Sequence, residues 1–187
     1  MPSQGFNNAN NIYTIDVGSV NWANIANAVI DDNTYATVTT TSNNPSDILV
    51  WQTFGFTIPD DGTVASIDGI EVVMECNQSV AGQFADILVG YENPAGATTN
   101  LATGSTATFG TANTTVTYGG PTEKWGQTWT PARINDILTQ VYLQVQKASG
   151  TTSRIFRVDY AYVKVYYTLT SGGGAVANNQ LMMVGIG

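Results

Sequence analysis

A two-residue hydrophobic period near the C-terminal end constrains this chain most. Between Arg157 and Thr168, Ala161, Val163, Val165 and Tyr167 alternate with Tyr160, Tyr162, Lys164 and Tyr166. Only an extended strand puts those two sets on opposite faces. The first set belongs to a core, and the Tyr-rich set is half exposed or covered by a partner. Val141, Leu143 and Val145 alternate with Tyr142, Gln144 and Gln146 in the same way. β-Branched and aromatic residues crowd four further segments, 35–41, 48–58, 66–76 and 84–91, with weaker strand candidates at 98–102, 106–109 and 114–118. Turn chemistry separates them: Asn43-Asn44-Pro45, Pro59-Asp60-Asp61-Gly62, Asn93-Pro94-Ala95-Gly96 and Tyr118-Gly119-Gly120-Pro121. A series of short strands with regular turns predicts an all-β fold, an antiparallel β-sandwich of jelly-roll-like type. One or two short helices fit between the strands. Thr130 and Pro131 supply an N-cap and an N1 proline for a helix over 131–138, and a second short turn is expected over 22–28.

With 187 residues, 43% of them hydrophobic, the chain fills one sizeable core and not two. The sandwich is expected over 21–170, flanked by extended N- and C-terminal arms. Residues 1–20 are Asn-rich and lack a strong period, and read as an N-terminal arm whose contact residues are Phe6, Ile12 and Tyr13. After the last strand, Ser171-Gly172-Gly173-Gly174 is a hinge, and residues 171–187 form a second arm carrying Leu181, Met182, Met183, Val184 and Ile186. Burying those five side chains would gain on the order of 1.5 to 3 kcal/mol each, set against the entropy of ordering the segment. Both arms are expected to dock on neighbouring subunits; the other course is that they fold back onto their own domain.

The residue inventory argues against chemistry. There is no histidine, which removes the commonest general base and transition-metal ligand. The single Cys76 lies in a strand-like run and reads as a buried, small apolar residue. No phosphate-cradling or nucleophile-elbow motif occurs, so no cofactor and no enzymatic activity are expected. Only 11% of residues are charged, the formal net charge is −8, and all basic residues lie between Lys124 and Lys164. That distribution disfavours nucleic-acid and membrane-surface partners. The N-terminal segment has no basic and apolar leader pattern, and no apolar run approaches the ~20 residues of a membrane span, so synthesis in a host cytoplasm is expected. Paired carboxylates at Asp31-Asp32, Asp60-Asp61 and Glu71/Glu75 each have a structural explanation. Asp60-Asp61-Gly62 is a turn, Glu71 and Glu75 share a strand face pointing to solvent, and Asp31-Asp32-Asn33 fixes loop backbone. Asp31 and Asp32 are also candidate Ca²⁺ ligands, although the EF-hand spacing is absent. Trp125 and Trp129 fall on one side of an extended segment. Exposed, they would make a stacking platform for a glycan; buried, they anchor the loop before the helix, which is the reading favoured here.

Several segments taken in order carry a resemblance. They are Trp22-Ala23-Asn24 with Asn27-Ala28 and Asp32-Asn33-Thr34-Tyr35-Ala36; Phe54-Gly55-Phe56-Thr57-Ile58-Pro59; Ile67-Asp68-Gly69-Ile70-Glu71-Val72; Tyr118-Gly119-Gly120; Trp125-Gly126-Gln127-Thr128-Trp129-Thr130; Val158-Asp159-Tyr160; and Val165-Tyr166-Tyr167-Thr168. Together they resemble a β-sandwich domain recurrent in tailed-bacteriophage virion structural proteins, over roughly Trp22 to Thr168. The resemblance implies a virion component on the outer capsid surface. In the first reading it is a capsid decoration (cement) protein that binds the major capsid protein and copies of itself, as a dimer or trimer, through its terminal arms. The alternative is a tail, fibre or neck subunit that binds a glycan or receptor. The shared residues read as scaffold: Gly55 kinks a strand, Pro59 ends it, Gly69 permits a bulge or close approach, and Tyr35 and Trp129 fill the core.

Overall fold

Two long antiparallel strands, Val64–Gln78 and Arg154–Leu169, form the spine of the structure. In this computed structural model, which describes residues 2–92 and 109–170, the elements run β1 (Ser3–Asn8), β2 (Asn11–Ile15), β3 (Trp22–Ala23), a 3-10 turn (Ile25–Val29), β4 (Ala36–Thr40), β5 (Ile48–Gln52), β6 (Val64–Gln78), β7 (Phe84–Glu92), β8 (Thr114–Gly120), α1 (Pro131–Asn135), β9 (Gln140–Lys147) and β10 (Arg154–Leu169). The first sheet has the order β3-β4-β10-β6-β8. Opposite β6, the free edge of β10 is shared: β4 pairs with Arg154 to Val158, and β1 pairs with Tyr162 to Tyr166. The second sheet has the order β2-β5-β9-β7. From β4 onward, successive strands alternate between the sheets. The molecule is an all-β, antiparallel sandwich with jelly-roll-like connectivity.

The inner faces fuse into one core. From the first sheet come Val38, Ile70, Val72, Met74, Cys76, Phe156, Val158, Ala161, Val163 and Val165; from the second come Leu49, Trp51, Val89, Tyr91, Val141, Leu143 and Val145. Phe156 is the hub, with Trp22, Phe84 and Phe109 rings at centroid distances of 6.2, 5.7 and 4.8 Å. Val158 pairs with Cys76 and Tyr160 pairs with Glu75, so Asp159 is the extra residue of a β-bulge. The bulge resets the period: Phe156 and Val158 point inward before it, and Ala161, Val163 and Val165 after it.

The N-terminal arm is the main correction. Residues 3–8 and 11–15 are strands of this chain's own two sheets, β1 on β10 and β2 on β5. Ile12 packs against the core, and Tyr13 lies on the outer side of the second sheet beside Gln140 and Glu92. The period was faint because both strands lie at the margins of their sheets and bury little on one face. Their backbone ladders carry the pairing, and asparagine side chains add to it, with Asn7 Nδ2 donating to Phe54 O at 2.9 Å and Asn11 Nδ2 to Gln52 Oε1 at 3.2 Å. The side chain of Phe6, the strand candidates 98–102 and 106–108, and the C-terminal arm with Leu181, Met182, Met183, Val184 and Ile186 lie outside the described residues.

Two other boundaries moved. The segment expected as one strand over 48–58 stops at Gln52, because Thr53 and Gly55 adopt left-handed φ of 64° and 66° and turn the chain out of the ladder. The helix after Thr130 is shorter than expected, Pro131–Asn135, because Asp136 is already extended and its Oδ1 accepts the Leu138 amide. Its cap is as expected: Thr130 Oγ1 accepts from Arg133 N at 3.2 Å. Thr130→Ala leaves that amide without its partner and is expected to cost about 1 kcal/mol, read as a shift in urea midpoint at unchanged slope.

Candidate functional site

The outer face of the first sheet gathers the groups that could act on another molecule. Along β10 it carries Tyr160, Tyr162, Lys164 and Tyr166, with the last three half-buried. The Tyr160 and Tyr162 rings stack at 4.1 Å between centroids with an interplanar angle of 21°. Further along, the Lys164 ammonium lies 4.8 Å from the Tyr166 ring centre, and the Tyr166 hydroxyl donates to Glu71 Oε2 at 2.9 Å. The half-exposed Tyr-rich face read from the alternation is present. Glu71 does share that face but is half-buried and hydrogen-bonded.

Beside the stacked pair, three carboxylates converge. Asp31 comes from the loop after the 3-10 turn, Glu75 from β6 and Asp159 from the bulge of β10, and one oxygen of each lies within 4.8 Å of the others. The loop is held over the sheet by Asn33, whose φ of 62° turns its amide to donate to Asp159 Oδ2 at 2.9 Å. Asn113 then ties the loop to the sheet: its Nδ2 donates to Asn33 Oδ1 at 2.8 Å, and its Oδ1 accepts from Asn77 Nδ2 at 2.6 Å. Asp159 is fully buried beneath this cover, and its Oδ1 has no hydrogen-bond partner; neither has the buried Oε1 of Glu75.

The electrostatics follow from that geometry. Burial raises the Asp159 carboxyl above the ordinary aspartate range; the Asn33 and Asp32 amides oppose the shift, and the charges of Asp32 and Asp31 add to it. Burial likewise raises Glu75, with the charges of Asp31 and Asp159 adding and the Asn113 side chain opposing. Two carboxylates about 5 Å apart repel by roughly 3 kcal/mol at an effective dielectric near 20. Tyr160 and Tyr162 are raised too, first by burial, and both also feel Asp31 and Glu75. Such a cluster suits a hard cation better than hydrolysis. A glycosidase needs both carboxyl groups open to a bond placed between them, and Asp159 presents no surface to a substrate.

The other sequence candidates fall elsewhere. Asp32 is not in the cluster; its Oδ1 accepts the Thr34 amide at 2.9 Å and the Thr34 hydroxyl at 2.5 Å, closing a turn. Asp61 does the same with Thr63. Glu75, expected to point to solvent, is drawn into the cluster by its position opposite the bulge. Tyr35 does not fill the core; it is half-buried, and its hydroxyl meets Asn113 at the edge of the polar network. Cys76 is buried and its thiol is pushed well up, first by burial, so it is an inert core residue.

Trp125 and Trp129 form no platform, since both are buried. All four indoles donate to backbone carbonyls: Trp22 to Asp47 at 2.8 Å, Trp51 to Ala28 at 2.5 Å, Trp125 to Ile70 at 3.0 Å and Trp129 to Lys124 at 2.8 Å. Arg133 covers what remains of the Trp129 ring, 4.9 Å from its centre. The grouping missed by sequence reasoning is Asp31 with Glu75 and Asp159. Its one local signal was an aspartate interrupting the β10 alternation.

No protein-family model and no curated protein matches the chain. Among solved structures it is similar to one described as "CBM4 structure and function", with a TM-score of 0.39 and 12% identity, covering 73% of this chain and 87% of that one. It is also similar to a family 11 carbohydrate-binding module of a cellulosomal cellulase from Clostridium thermocellum, with a TM-score of 0.38 and 12% identity, covering 88% and 91%. At that distance the likeness carries no argument about what this chain binds.

Proposed function

We propose that this chain is a non-enzymatic structural subunit of a tailed-bacteriophage virion, a capsid decoration protein that binds the major capsid protein and copies of itself on the outer surface of the head. The observation that carries the reading is the half-exposed tyrosine stripe on a rigid sheet, in a chain with few charges. Tyrosine supplies large contact area at low entropic cost and is enriched at protein interfaces, whereas charged residues are depleted at their centres. The order of scaffold segments that resembles phage virion domains supports the same reading. With β1 and β2 used inside the domain, attachment is assigned to the stripe and to residues 171–187, whose sequence places five large apolar residues after a run of glycines.

The test uses emptied heads and three proteins: the full chain, a chain lacking residues 171–187, and the double variant Tyr162→Ala, Tyr166→Ala. Attachment is expected to fall at least tenfold in both altered chains; the double variant, which loses the Tyr160–Tyr162 stack and the Tyr166–Glu71 hydrogen bond, should melt several degrees lower but still cooperatively. Attachment equal to the full chain in both would end the decoration reading. The tyrosine stripe also suits the second reading, a glycan- or receptor-binding subunit of a tail or fibre, because aromatic faces stack on sugars. That reading gains if the full chain binds a glycan and Tyr162→Ala removes the binding.

A further inference from the structure

We infer that Asp31, Glu75 and Asp159 form a Ca²⁺ site that clamps the loop after the 3-10 turn onto the outer face of the first sheet. This inference is independent of where the protein acts. Three observations meet. The first is spacing: oxygens bound to one Ca²⁺ at 2.3–2.6 Å lie no more than about 5 Å apart, and one oxygen from each of the three carboxylates lies within 4.8 Å of the others. The second is an unmet bonding capacity inside the cluster. Asp159 is fully buried and receives the Asn33 amide on Oδ2 and the influence of the Asp32 amide, yet its Oδ1 has no hydrogen-bond partner; the buried Oε1 of the half-buried Glu75 has none either. A buried carboxylate oxygen left unpaired is costly, and a cation satisfies both oxygens at once.

The third observation is the surrounding charge. The charges that act on Asp159 are those of Asp32 and Asp31, and those that act on Glu75 are those of Asp31 and Asp159, so negative charge accumulates here. The donors are all oxygens, with no histidine in the chain, which favours a hard cation. Ca²⁺ is preferred over Mg²⁺ because three carboxylates from a loop and two strands make an irregular set, and Ca²⁺ tolerates irregular geometry where Mg²⁺ demands a near-ideal octahedron. The bulge at Asp159 is what delivers its carboxylate to this spot, in keeping with the frequent use of bulges to re-aim a side chain.

The site is tested on the full chain after chelation. Ca²⁺ at a hundredfold excess over its dissociation constant is expected to raise the melting temperature by about 5 to 10 °C. Tb³⁺ gives an independent signal, because Tyr160 and Tyr162 adjoin the cluster and should sensitise its emission; Ca²⁺ should then displace it. Asp31→Asn, at an exposed position that leaves the packing intact, should weaken Ca²⁺ binding at least tenfold. Asp159→Asn should abolish both signals if it folds. The inference is overturned if Ca²⁺ leaves the melting temperature of the full chain unchanged, with or without Tb³⁺ emission, or if Asp31→Asn responds to Ca²⁺ as the unaltered chain does. A rise produced equally by Mg²⁺ would overturn the choice of Ca²⁺.

Discussion

Removal of residues 2–15 is expected to unfold this protein rather than merely detach it from a partner. The deletion takes away β1, paired along β10, and β2, paired with β5 from Asn11↔Gln52 to Ile15↔Ile48. It strips Ala9 and Ile12 from the core and uncovers the edges of both sheets at once. Lost burial of Ile12, Tyr13 and Ala9, together with the hydrogen bonds of two strands, sums to about 5 kcal/mol or more, comparable with the whole stability of many domains. The truncated chain should lack sharp near-ultraviolet dichroism and a cooperative urea transition. An arm that only reaches a neighbour would leave both intact. A truncated chain that melts within a few degrees of the full one would show that β1 and β2 are dispensable additions.

Gly69→Ala should be among the most damaging single substitutions. Gly69 lies inside β6, and a methyl group there would sit 2.2 Å from the carbonyl oxygen of Gly120 and 2.2 Å from the carbonyl carbon of Pro121. These atoms are backbone, held by the Ile70↔Gly120 pairing and by the Ile70 amide, which donates to Glu123 O at 2.8 Å. No side chain can swing aside, so the end of β8 or the whole of β6 must shift, and Trp125, which donates to Ile70 O, moves with it. The expected cost is about 3 kcal/mol or more, roughly a 6–12 °C fall in melting temperature for a chain of this size. Gly55→Ala is the control. Its methyl would meet nothing within 4 Å, and only its φ of +66° is strained, so it should cost about 1–2 kcal/mol. Equal losses in the two variants would mean that the approach of β8 to Gly69 is not tight.

The strands with a buried face were legible one at a time. β10 and β9 alternate because one side of each must exclude water, and β6 and β7 stand out as runs rich in Val, Ile and aromatic residues. β1 and β2 were not legible, since strands at the margin of a sheet need little apolar surface and backbone pairing leaves no residue pattern of its own. Gly69 reads in the sequence as a bulge or a point of close approach, because a glycine inside a β-branched run has few other uses, and the structure shows the close approach. What approaches it could not be read, because Gly120 and Pro121 are brought there by a pairing between distant parts of the chain.

The candidate site divides along the same line. The tyrosine stripe was plain in the sequence, since its members are spaced two apart on one strand. The carboxylate cluster was not: in the sequence Asp31 stands next to Asp32, and Glu75 falls on a strand face that reads as facing solvent. Asp32 turns back on Thr34, while Asp31 meets Glu75 and Asp159 from two other segments. By itself the sequence determined that the chain is a β-sandwich with a tyrosine-rich outer face and no histidine chemistry, because hydrophobic period and residue inventory are local properties. The burial of Trp125 and Trp129 follows the sequence reading, while only the tertiary structure decided that the N-terminal segment belongs to the domain and that three acids share one place. Those outcomes depend on strand order and on a single bulged residue, and neither is encoded in the spacing of any one segment.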